Sequence, residues 1–295
     1  MELYQLKGFV AVAELGHMTR AAERLHVSQP ALSAQIRALE SQLSLKLFER
    51  VSGGMRLTAA GRQLLSDAEV VLDAADQLRN RARALCGEPA GQLRVGTVSE
   101  PEFIRVAEFL GATIQRFPMI RVEFHHGVTG AVFERVRDGE LDAGFYYGEL
   151  GDPDVASLKL RDIAYRVIAA PSWQARIERA HWEDIARMPW VMASEISTHH
   201  HLVMGLFRRH GSAPAKVVEA DQESILSSLA MAGAGLGLMR EERALRQREL
   251  GEVCIWGDVR LETTLRFVYR RKRSDDPLIR AVLDVLSAVW ARGAG

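Results

Sequence analysis

Three polar residues near the N-terminus have the side-chain types and the spacing of a surface that reads DNA bases. On a helix that buries Leu32, Ser33 and Arg37 point outward. Gln29 lies on the flank at the N-terminal end, where helices of this kind usually reach base edges. Glutamine can bridge N6 and N7 of adenine, arginine can bind guanine or phosphate, and serine can bind either kind of partner. The pattern predicts a DNA-reading helix, and its alternative is an ordinary solvated helix face.

A helix-turn-helix is the arrangement that the flanking residues predict. A first helix begins near Leu3 and stops at Gly16. Thr19 is a good N-cap for a second helix. Ser28 is placed to cap a third helix with Pro30 in its first turn, where the missing N–H has no cost. The third helix then carries one apolar stripe, made of Leu32, Ile36, Leu39 and Leu43.

A short hairpin is predicted next and would form a wing. Residues 48–50 and 55–57 flank a Ser-Gly-Gly tip that suits a tight turn. Arg50 and Arg56 lie on the two strands and suit phosphate contacts. Residues 1–62 carry eight basic and five acidic side chains, a net charge of +3, whereas the whole chain has 38 of each. DNA contacts must therefore come from a local basic face, because the chain has no bulk positive charge.

A long helix with a narrow seam is predicted from Thr58 onward. Apolar or small residues recur at alternating intervals of three and four, which is the spacing of a helix that packs against a partner helix. We predict dimerisation through this seam, and the alternative is an amphipathic helix packed on its own domain. The seam consists of Leu64, Ala68, Val71, Ala75, Leu78, Ala82 and Leu85. Residues 86–91 break the helix and are the best linker in the chain.

Alternating strands and helices fill the remainder. A length of 295 residues with 47% hydrophobic residues is enough for two domain cores. The alternation predicts parallel α/β sheets covered on both faces. Strands are predicted at 93–97, 120–125, 141–147, 165–169, 190–193, 216–219, 236–239 and 265–269, and helices at 102–116, 130–137, 222–231 and 277–290. The glycine cluster at 233–237 follows a helix and leads into a strand, so it is a turn rather than a nucleotide-binding loop.

The N-terminal residues closely resemble those of a known family. The match is carried by residues 19–40, 47–50 and 57–61, which read TRAAERLHVSQPALSAQIRALE, LFER and LTAAG. This stretch is similar to the DNA-binding domain of LysR-type transcriptional regulators. The similarity continues more weakly through GQLRVG at 91–96, GELDAGF at 139–145 and AGAGLGL at 232–238.

The resemblance implies a division of the chain into four segments. They are an all-α winged helix-turn-helix domain at 1–58, a linker and dimerisation helix at 59–86, a hinge at 87–91 and an α/β effector-binding regulatory domain at 92–295. The regulatory domain would contain two Rossmann-like subdomains and resemble a type 2 periplasmic-binding-protein fold. One subdomain would cover about 92–162 and 268–295, and the other about 163–267.

The resemblance also implies a function. It is that of a cytoplasmic, ligand-responsive regulator without catalytic activity, which binds an interrupted inverted repeat in double-stranded DNA as a dimer or tetramer. A small-molecule effector would lie in the cleft between the subdomains, and RNA polymerase is a partner that the resemblance allows. DNA contacts are expected at Thr19, Arg20, Ser28, Gln29, Pro30, Ser33, Arg37, Arg50 and Arg56. Effector contacts are expected at Ser99, Glu100, Thr129, Tyr147, Ser194 and His199, the last two in a loop over residues 194–201.

Acidic residues in the loop after the first strand of the regulatory domain bear on the charge of the effector. Ser99 and Glu102 have the spacing of a capping box that opens a helix. Glu100 and Glu102 would then oppose a carboxylate at that helix N-terminus. We therefore expect an effector that is neutral or carries a positive group.

Other chemistries find little support in the chain. Consecutive histidines such as His199, His200 and His201 point in different directions, and they have no acidic or thiol ligand beside them at a metal spacing. We expect no metal and no cofactor. The alternative function is an enzyme or a solute-binding protein with an N-terminal dimerisation module. No GxSxG, HExxH or GxxxxGKS/T motif occurs, and the N-terminus does not have the pattern of an export signal. The two cysteines lie far apart, and no apolar run reaches the ~18 residues of a membrane span.

Overall fold

The computed structural model describes residues 1–85, 89–98 and 101–291 of the chain. They form two compact units, Met1–Gly87 and Glu88–Gly295. Two of the predicted effector residues, Ser99 and Glu100, lie outside the described residues, as do residues 86–88 at the predicted linker. The backbone of Leu85 is described, but its side chain is not.

The first unit contains the predicted helices and hairpin. Its elements are α1 (Leu3–Leu15), α2 (Met18–Arg24), α3 (Gln29–Leu43), β1 (Phe48–Val51), β2 (Gly54–Leu57) and α4 (Ala59–Leu85). Ser28 caps α3 as predicted, because its Oγ accepts a hydrogen bond from the Ala31 N–H at 3.3 Å. The predicted cap at Thr19 is wrong. The N-cap of α2 is His17, whose side chain makes no capping hydrogen bond, and Thr19 is the second residue of the helix.

Packing of α1 against α3 forms the core of the first unit. Phe9 and Val12 of α1 are buried with Leu32 and Leu39 of α3. The two helices approach closely at Gly8, where a Cβ atom would lie only 2.8 Å from Leu32 Cδ1. Small residues at such a crossing allow the apolar stripe of α3 to be buried while its opposite face stays in solvent.

The wing is joined to the helices through main-chain hydrogen bonds and a buried carboxylate. β1 and β2 form the predicted antiparallel hairpin, and the Met55 N–H donates to the Gly16 carbonyl at the end of α1 at 2.7 Å. Glu40 at the end of α3 is buried. Its carboxylate accepts the N–H groups of Leu47 and Phe48 at 2.9 and 3.3 Å and pairs with Lys46 at 2.8 Å. Glu40 therefore connects the recognition helix to the first strand of the wing.

This carboxylate should make the stability of the first unit depend on pH. Burial has the largest effect on Glu40 and by itself raises its pKa, but the hydrogen bonds from Lys46, Leu47 and Phe48 outweigh burial and hold the pKa below its usual value. A lowered pKa in the folded state stabilises the fold above the unfolded pKa of about 4.3, and the contribution disappears as pH falls through the folded value.

We expect Glu40→Gln to lower the free energy of unfolding by about 2 kcal/mol at neutral pH, since it removes charge-assisted hydrogen bonds. Thermal unfolding followed by circular dichroism should show the difference at pH 7, and the two proteins should converge in acid. Glu49→Gln is the matched control, because Glu49 is an exposed wing residue paired with Arg56. Equal effects of the two substitutions would contradict this role of Glu40.

The long helix α4 has two different environments along its length. Its first turns pack on α1 and α3, so Ala68 is buried and Leu64 is half-buried within the same chain. These two residues of the predicted dimer seam therefore already pack against apolar side chains of the same chain, and the seam itself stays a prediction. Further along, Val71 is 40% exposed and Leu78 is 70% exposed.

The second unit contains eight α-helices, two short 3₁₀ turns and eight strands within the described residues. Its first half has β3 (Gly91–Thr97), α5 (Val106–Arg116), β4 (Ile120–His126), α6 (Thr129–Asp138), β5 (Ala143–Tyr147) and β6 (Val155–Ala169). Then come the short 3₁₀ turn Pro171–Trp173, α7 (Gln174–Ile177), α8 (Trp182–Arg187), β7 (Pro189–Met192), α9 (Thr198–Arg209) and β8 (Ala215–Glu219). The last elements are α10 (Glu223–Met231), β9 (Gly237–Arg240), α11 (Glu241–Glu249), β10 (Cys254–Arg270), a 3₁₀ turn Arg271–Arg273 and α12 (Pro277–Ala291).

The strands of the second unit form a mixed rather than a parallel sheet. The order of the six-stranded sheet is β4-β3-β5-β10-β6-β9. Only β3 with β4 and β3 with β5 are parallel, whereas β10 and β6 run antiparallel to each other and to their outer neighbours. β7 and β8 form a separate parallel pair. The all-parallel prediction fails because the long strands β6 and β10 pair along their lengths and serve both halves of the unit.

The backbone of the second unit tests three local predictions made from the sequence. The predicted helix start at Glu102 is wrong: residues 101–105 form turns, and α5 begins after Arg105. The segment 194–201, expected as a loop, becomes helical from Thr198 onward. The glycine cluster is a turn as predicted, with Gly233 at φ 86° after α10 and with β9 following.

A buried ionic network holds the start of β5 against β3 and the turn before α12. Asp142 accepts the Arg94 N–H at 2.7 Å and pairs with Arg273 at 2.5 Å. Arg273 also pairs with Asp276 at 2.8 Å and is 2% exposed. Burial has the largest effect on the Asp142 carboxyl and raises its pKa, but Arg94 and Arg273 outweigh it and lower the pKa. The GELDAGF segment thus has a structural role.

Candidate functional site

The exposed face of α3 displays the residues predicted to read DNA. Gln29, Pro30 and Arg37 are exposed, and Ser33 is half-buried. Arg37 folds back along the helix, with its Nε donating to the Ser33 carbonyl at 3.2 Å and its Nη2 to Ser33 Oγ at 3.3 Å. Ser33 and Arg37 therefore form one polar unit on the surface of the helix. This unit can donate to a base edge or to a phosphate without a change of backbone.

The remaining predicted DNA contacts lie on neighbouring elements of the first unit. Thr19 and Arg20 are exposed on α2, and Ser28 is exposed at the start of α3. The wing presents Arg50 on β1 and Arg56 on β2, both exposed, and Arg56 Nε donates to Glu49 Oε1 at 2.8 Å. All nine predicted residues are thus at the surface or, for Ser33, partly so. Donors and cations on a helix, its N-terminus and a hairpin suit contacts to both bases and phosphates.

In the second unit, the ends of several strands and helices meet at a cleft that is bridged by Thr198. The Thr198 hydroxyl donates to the Tyr147 carbonyl at 2.9 Å and lies 3.2 Å from Thr129 Oγ1. Beside it, the Gly130 N–H at the start of α6 donates to the Ile196 carbonyl at 3.0 Å. These contacts join the half that contains β3, β4 and β5 to the half that contains β7 and α9. They also separate the cleft into two cavities.

The smaller cavity, of about 30 Å³, lies on one side of this bridge. His199 and Tyr165 line it with their rings edge to face, 4.8 Å apart. Burial lowers the pKa of His199, so the imidazole is neutral at pH 7. Burial also raises the pKa of Tyr165 well above its usual value, so its phenol keeps its proton. The two rings therefore offer neutral hydrogen-bonding groups.

A buried ion pair stands next to the smaller cavity. Glu223, which lines it, pairs with Arg240 at 2.9 Å, and the Arg240 guanidinium lies 3.8 Å from the centre of the Phe103 ring. The sequence analysis missed Tyr165, Glu223 and Arg240. Tyr165 lies in a predicted strand, so it was expected to be a core residue. Glu223 and Arg240 are separated in sequence by a whole helix and a turn, so their pairing was not predictable from spacing.

The larger cavity, of about 380 Å³, lies on the other side of the bridge. Phe133 of α6 and Tyr146 of β5 form one wall, with their ring centres 5.4 Å apart. Ile196 and Leu202 are the aliphatic residues that line the cavity. The two cavities have three residues in common, which are Thr129, Tyr147 and Thr198.

The structure brings together part of the predicted effector set. Thr129 and Tyr147 line both cavities, and His199 lines the smaller one. Ser194 is not among the lining residues of either cavity. Glu102 is exposed in a turn before α5, so its carboxylate does not lie in the first turn of that helix, and Ser99, the other member of the predicted capping box, lies outside the described residues.

The histidines do not converge on one centre. His200 Nδ1 lies 3.2 Å from the Ala193 carbonyl, and His201 is exposed. His125 and His126 lie at the end of β4. Within the described ranges, no group of three or more His, Cys, Asp or Glu side chains is placed to hold a metal ion. Cys254 is buried at the start of β10, where its Sγ lies 3.0 Å from the Ala170 carbonyl and burial raises its pKa.

None of the helices in the part of the chain that the structure describes has the length and apolar character needed to cross a membrane.

Comparison with known proteins identifies both units. Residues 3–62 match the family described as bacterial regulatory helix-turn-helix protein, lysR family, and residues 87–291 match the LysR substrate binding domain. The chain is 30% identical to the HTH-type transcriptional regulator TcbR of Pseudomonas sp. strain P51 over 291 residues, covering 96% of this chain and 97% of TcbR. It is 37% identical to the regulator TfdT of Cupriavidus pinatubonensis over 180 residues, covering 61% of this chain and 79% of TfdT.

A solved structure shows the same fold over the full length. The crystal structure of full-length CbnR complexed with its target DNA covers 98% of this chain and 99% of CbnR, with a TM-score of 0.66 and 25% sequence identity. These relatives are named as transcriptional regulators and not as enzymes. The chain therefore belongs to the LysR family of bacterial helix-turn-helix transcriptional regulators and combines its DNA-binding domain with its substrate-binding domain.

Proposed function

We propose that this regulator reads an interrupted inverted repeat through α3 and the wing, with the nine surface residues named above as its DNA contacts. The exposed polar unit of Ser33 and Arg37 beside Gln29 is the observation that carries the proposal. Phosphate contacts by Arg50 and Arg56 would position the helix in the major groove, and base contacts by α3 would supply specificity. Such a protein acts in the cytoplasm, where RNA polymerase is the partner through which it would affect transcription.

Assembly through α4 is the second part of the proposal. A dimer places two recognition helices on two half-sites, as a repeated operator requires. Val71 and Leu78 support this assignment because both are large apolar side chains exposed to solvent on the seam of α4. The seam would then begin near Val71, with Ala75, Ala82 and Leu85 as further members, since Leu64 and Ala68 are already packed within the chain.

The third part of the proposal concerns the effector, which would bind in the cleft of the second unit. Thr129, Tyr147 and His199 support this location because they line cavities on either side of the Thr198 bridge. Ser99, Glu100 and Ser194 stay in the proposed set of effector contacts. The two halves can adopt different relative arrangements, and an effector that contacts both halves favours the arrangement that it binds more tightly. The size of the shift is set by the difference between its affinities for the two arrangements. Residues 59–91 would transmit that shift to the DNA-binding residues 1–58.

Gln29→Ala tests base reading. On an operator selected from random duplexes by the wild-type protein, we expect the variant to lose about 1–3 kcal/mol of discrimination, because a bidentate contact to adenine is removed. Binding to random duplex DNA and its dependence on salt should stay largely unchanged, since phosphate contacts dominate them. Electrophoretic mobility shifts on the two DNAs would measure both quantities.

Gln42→Ala is the matched control for this experiment, because Gln42 is exposed near the other end of the same helix. It should leave binding to both DNAs as in the wild type. If Gln29→Ala weakens binding to operator and random DNA to the same extent, Gln29 contacts the backbone and does not read a base.

A further inference from the structure

We propose that the larger cavity of the second unit takes a neutral, planar apolar compound of one or two rings that carries a hydroxyl group. This inference rests on the proposed effector function and adds the chemical class of the ligand. It comes from the volume, the wall residues and the charges of the cavity.

The volume separates the two cavities. About 30 Å³ in the smaller one is enough for one water molecule. About 380 Å³ in the larger one is within the range of pockets that bind small organic molecules. An effector of more than a few atoms therefore fits the larger cavity, while the smaller one can hold at most a small polar group.

The walls of the larger cavity favour a flat apolar compound. Phe133 and Tyr146 present two neighbouring rings to the cavity, and Ile196 and Leu202 add aliphatic surface to its lining. Ile196 is 48% exposed although it is a large aliphatic side chain. A bound ring would remove apolar surface of these side chains from water, which is the main favourable contribution to the binding of such ligands.

Three threonine hydroxyls, of Thr129, Thr198 and Thr263, line the cavity from three different elements, and His201, Glu149 and the two tyrosines are its other polar side chains. Thr129 and Thr263 can each donate and accept a hydrogen bond, whereas Thr198 donates its proton to the Tyr147 carbonyl and can accept one from a ligand. Because the Thr198 hydroxyl also contacts Tyr147 and Thr129, a ligand hydroxyl at this point acts on the bridge between the two halves. Ligand contact is thereby coupled to the joint of the cleft.

The charges at the cavity disfavour a carboxylate ligand. No lysine or arginine is among its lining residues in the described ranges. Glu149 is the carboxylate at its edge, and it pairs with Arg266 at 2.6 Å. A ligand carboxylate would thus lose hydration with no lysine or arginine to pair with and with the exposed His201 as the one described lining side chain that can become a cation, whereas a hydroxyl would be satisfied by the threonines.

Titration calorimetry on the full-length protein with two matched probes tests this inference. The probes are 2-naphthol, which is neutral and carries a hydroxyl, and 2-naphthoate, which has the same rings and a carboxylate. We expect saturable binding of 2-naphthol and binding of 2-naphthoate that is at least about tenfold weaker. Ile196→Trp should fill the cavity and weaken the binding of 2-naphthol by about tenfold or more.

Ile225→Trp is the control, because Ile225 is 46% exposed in the same unit and is not a lining residue of the cavity. It should bind 2-naphthol as the wild type does. Leu202→Phe provides a second occluding variant if circular dichroism shows that Ile196→Trp is misfolded. Absence of saturable 2-naphthol binding, equal or tighter binding of 2-naphthoate, or unchanged binding in the correctly folded occluding variant would each overturn the inference.

The result is separable from the proposed function. Operator binding by the wild type and by Ile196→Trp is measured in the same preparations without probe. If the wild-type protein does not bind an operator, that result counts against the proposed function alone. Operator binding together with a failed probe experiment would leave the regulator intact and show that its effector belongs to another class.

Discussion

Replacing Val71 and Leu78 together by glutamate is expected to break the assembly of this regulator. Both side chains are large, apolar and exposed on α4 in the single chain, so a partner helix would bury them. Glutamates at these positions would place like charges in the buried seam of a symmetric dimer, which is strongly unfavourable. Sedimentation velocity should show a species of lower mass than the wild type.

Loss of the dimer should also reduce operator affinity. Two linked half-site contacts gain a factor of about 10² to 10⁴ from being joined, so we expect the double variant to bind its operator at least about 100-fold more weakly. Val70→Glu is the matched control, since Val70 is 46% exposed on another face of the same helix. An unchanged sedimentation coefficient of the double variant would show that the seam does not form the principal contact.

Asp142→Ala is expected to destabilise the second unit by about 3 kcal/mol. Arg273 would stay buried but would lose Asp142, one of its two carboxylate partners. Breaking a buried ion pair lowers the free energy of unfolding more than breaking a surface pair does. Asp276 remains as a partner of Arg273, which places the expected loss at the lower end for a buried pair. Backbone pairing of β3 would also suffer, since Asp142 accepts the Arg94 N–H.

Urea unfolding followed by tryptophan fluorescence measures this loss selectively. All five tryptophans, at positions 173, 182, 190, 256 and 290, lie in the second unit. Asp138→Ala is the control, because Asp138 is exposed and pairs with Arg137 in the same segment. Its unfolding midpoint should match that of the wild type, and a similar shift for both variants would contradict the role of the Asp142 network.

The network also predicts how the effect changes with pH. The Asp142 carboxyl has a lowered pKa in the folded state, so its stabilising contribution is present above the unfolded pKa of about 3.9. It disappears as pH falls through the folded value. The difference between the wild type and Asp142→Ala should therefore be full at pH 7 and should shrink in acid.

The sequence by itself determined most of the first unit, because its helices depend on local features. The cap at Ser28, the stop at Gly16 and the stripe that includes Leu32 act within a few residues of one another, so spacing was sufficient to predict them. The N-cap of α2 was predicted two residues too late, at Thr19, because the observed N-cap, His17, has no side-chain capping bond and therefore no recognisable cap signal. Once the buried face of α3 was predicted, the residues on its exposed face were predicted as well, because the two faces are related by the helical repeat.

Contacts between distant segments decided the rest of the first unit. The seam of α4 has one pattern along its length, yet Ala68 is buried by α1 and Leu78 is exposed. Periodicity shows that a face is apolar but not what covers it. The role of Glu40 likewise required the wing to fold back beside the end of α3, because its partners follow it by seven and eight residues.

In the second unit, each strand overlaps a predicted one, but the predictions at 165–169 and 265–269 cover only part of β6 and β10, and the strand directions were not predicted. Each strand has its own apolar run, but the sheet became mixed because β6 and β10 are long and pair with each other through polar middle segments. The residues that line the two cavities were the hardest feature to predict from the sequence. Thr129, Tyr147 and Thr198 come from three separate elements, and their 2.9 to 3.2 Å contacts exist only when both halves of the unit are in place. Local sequence determines which elements form, whereas the surface of a binding site depends on which elements meet, and that is decided by long-range packing.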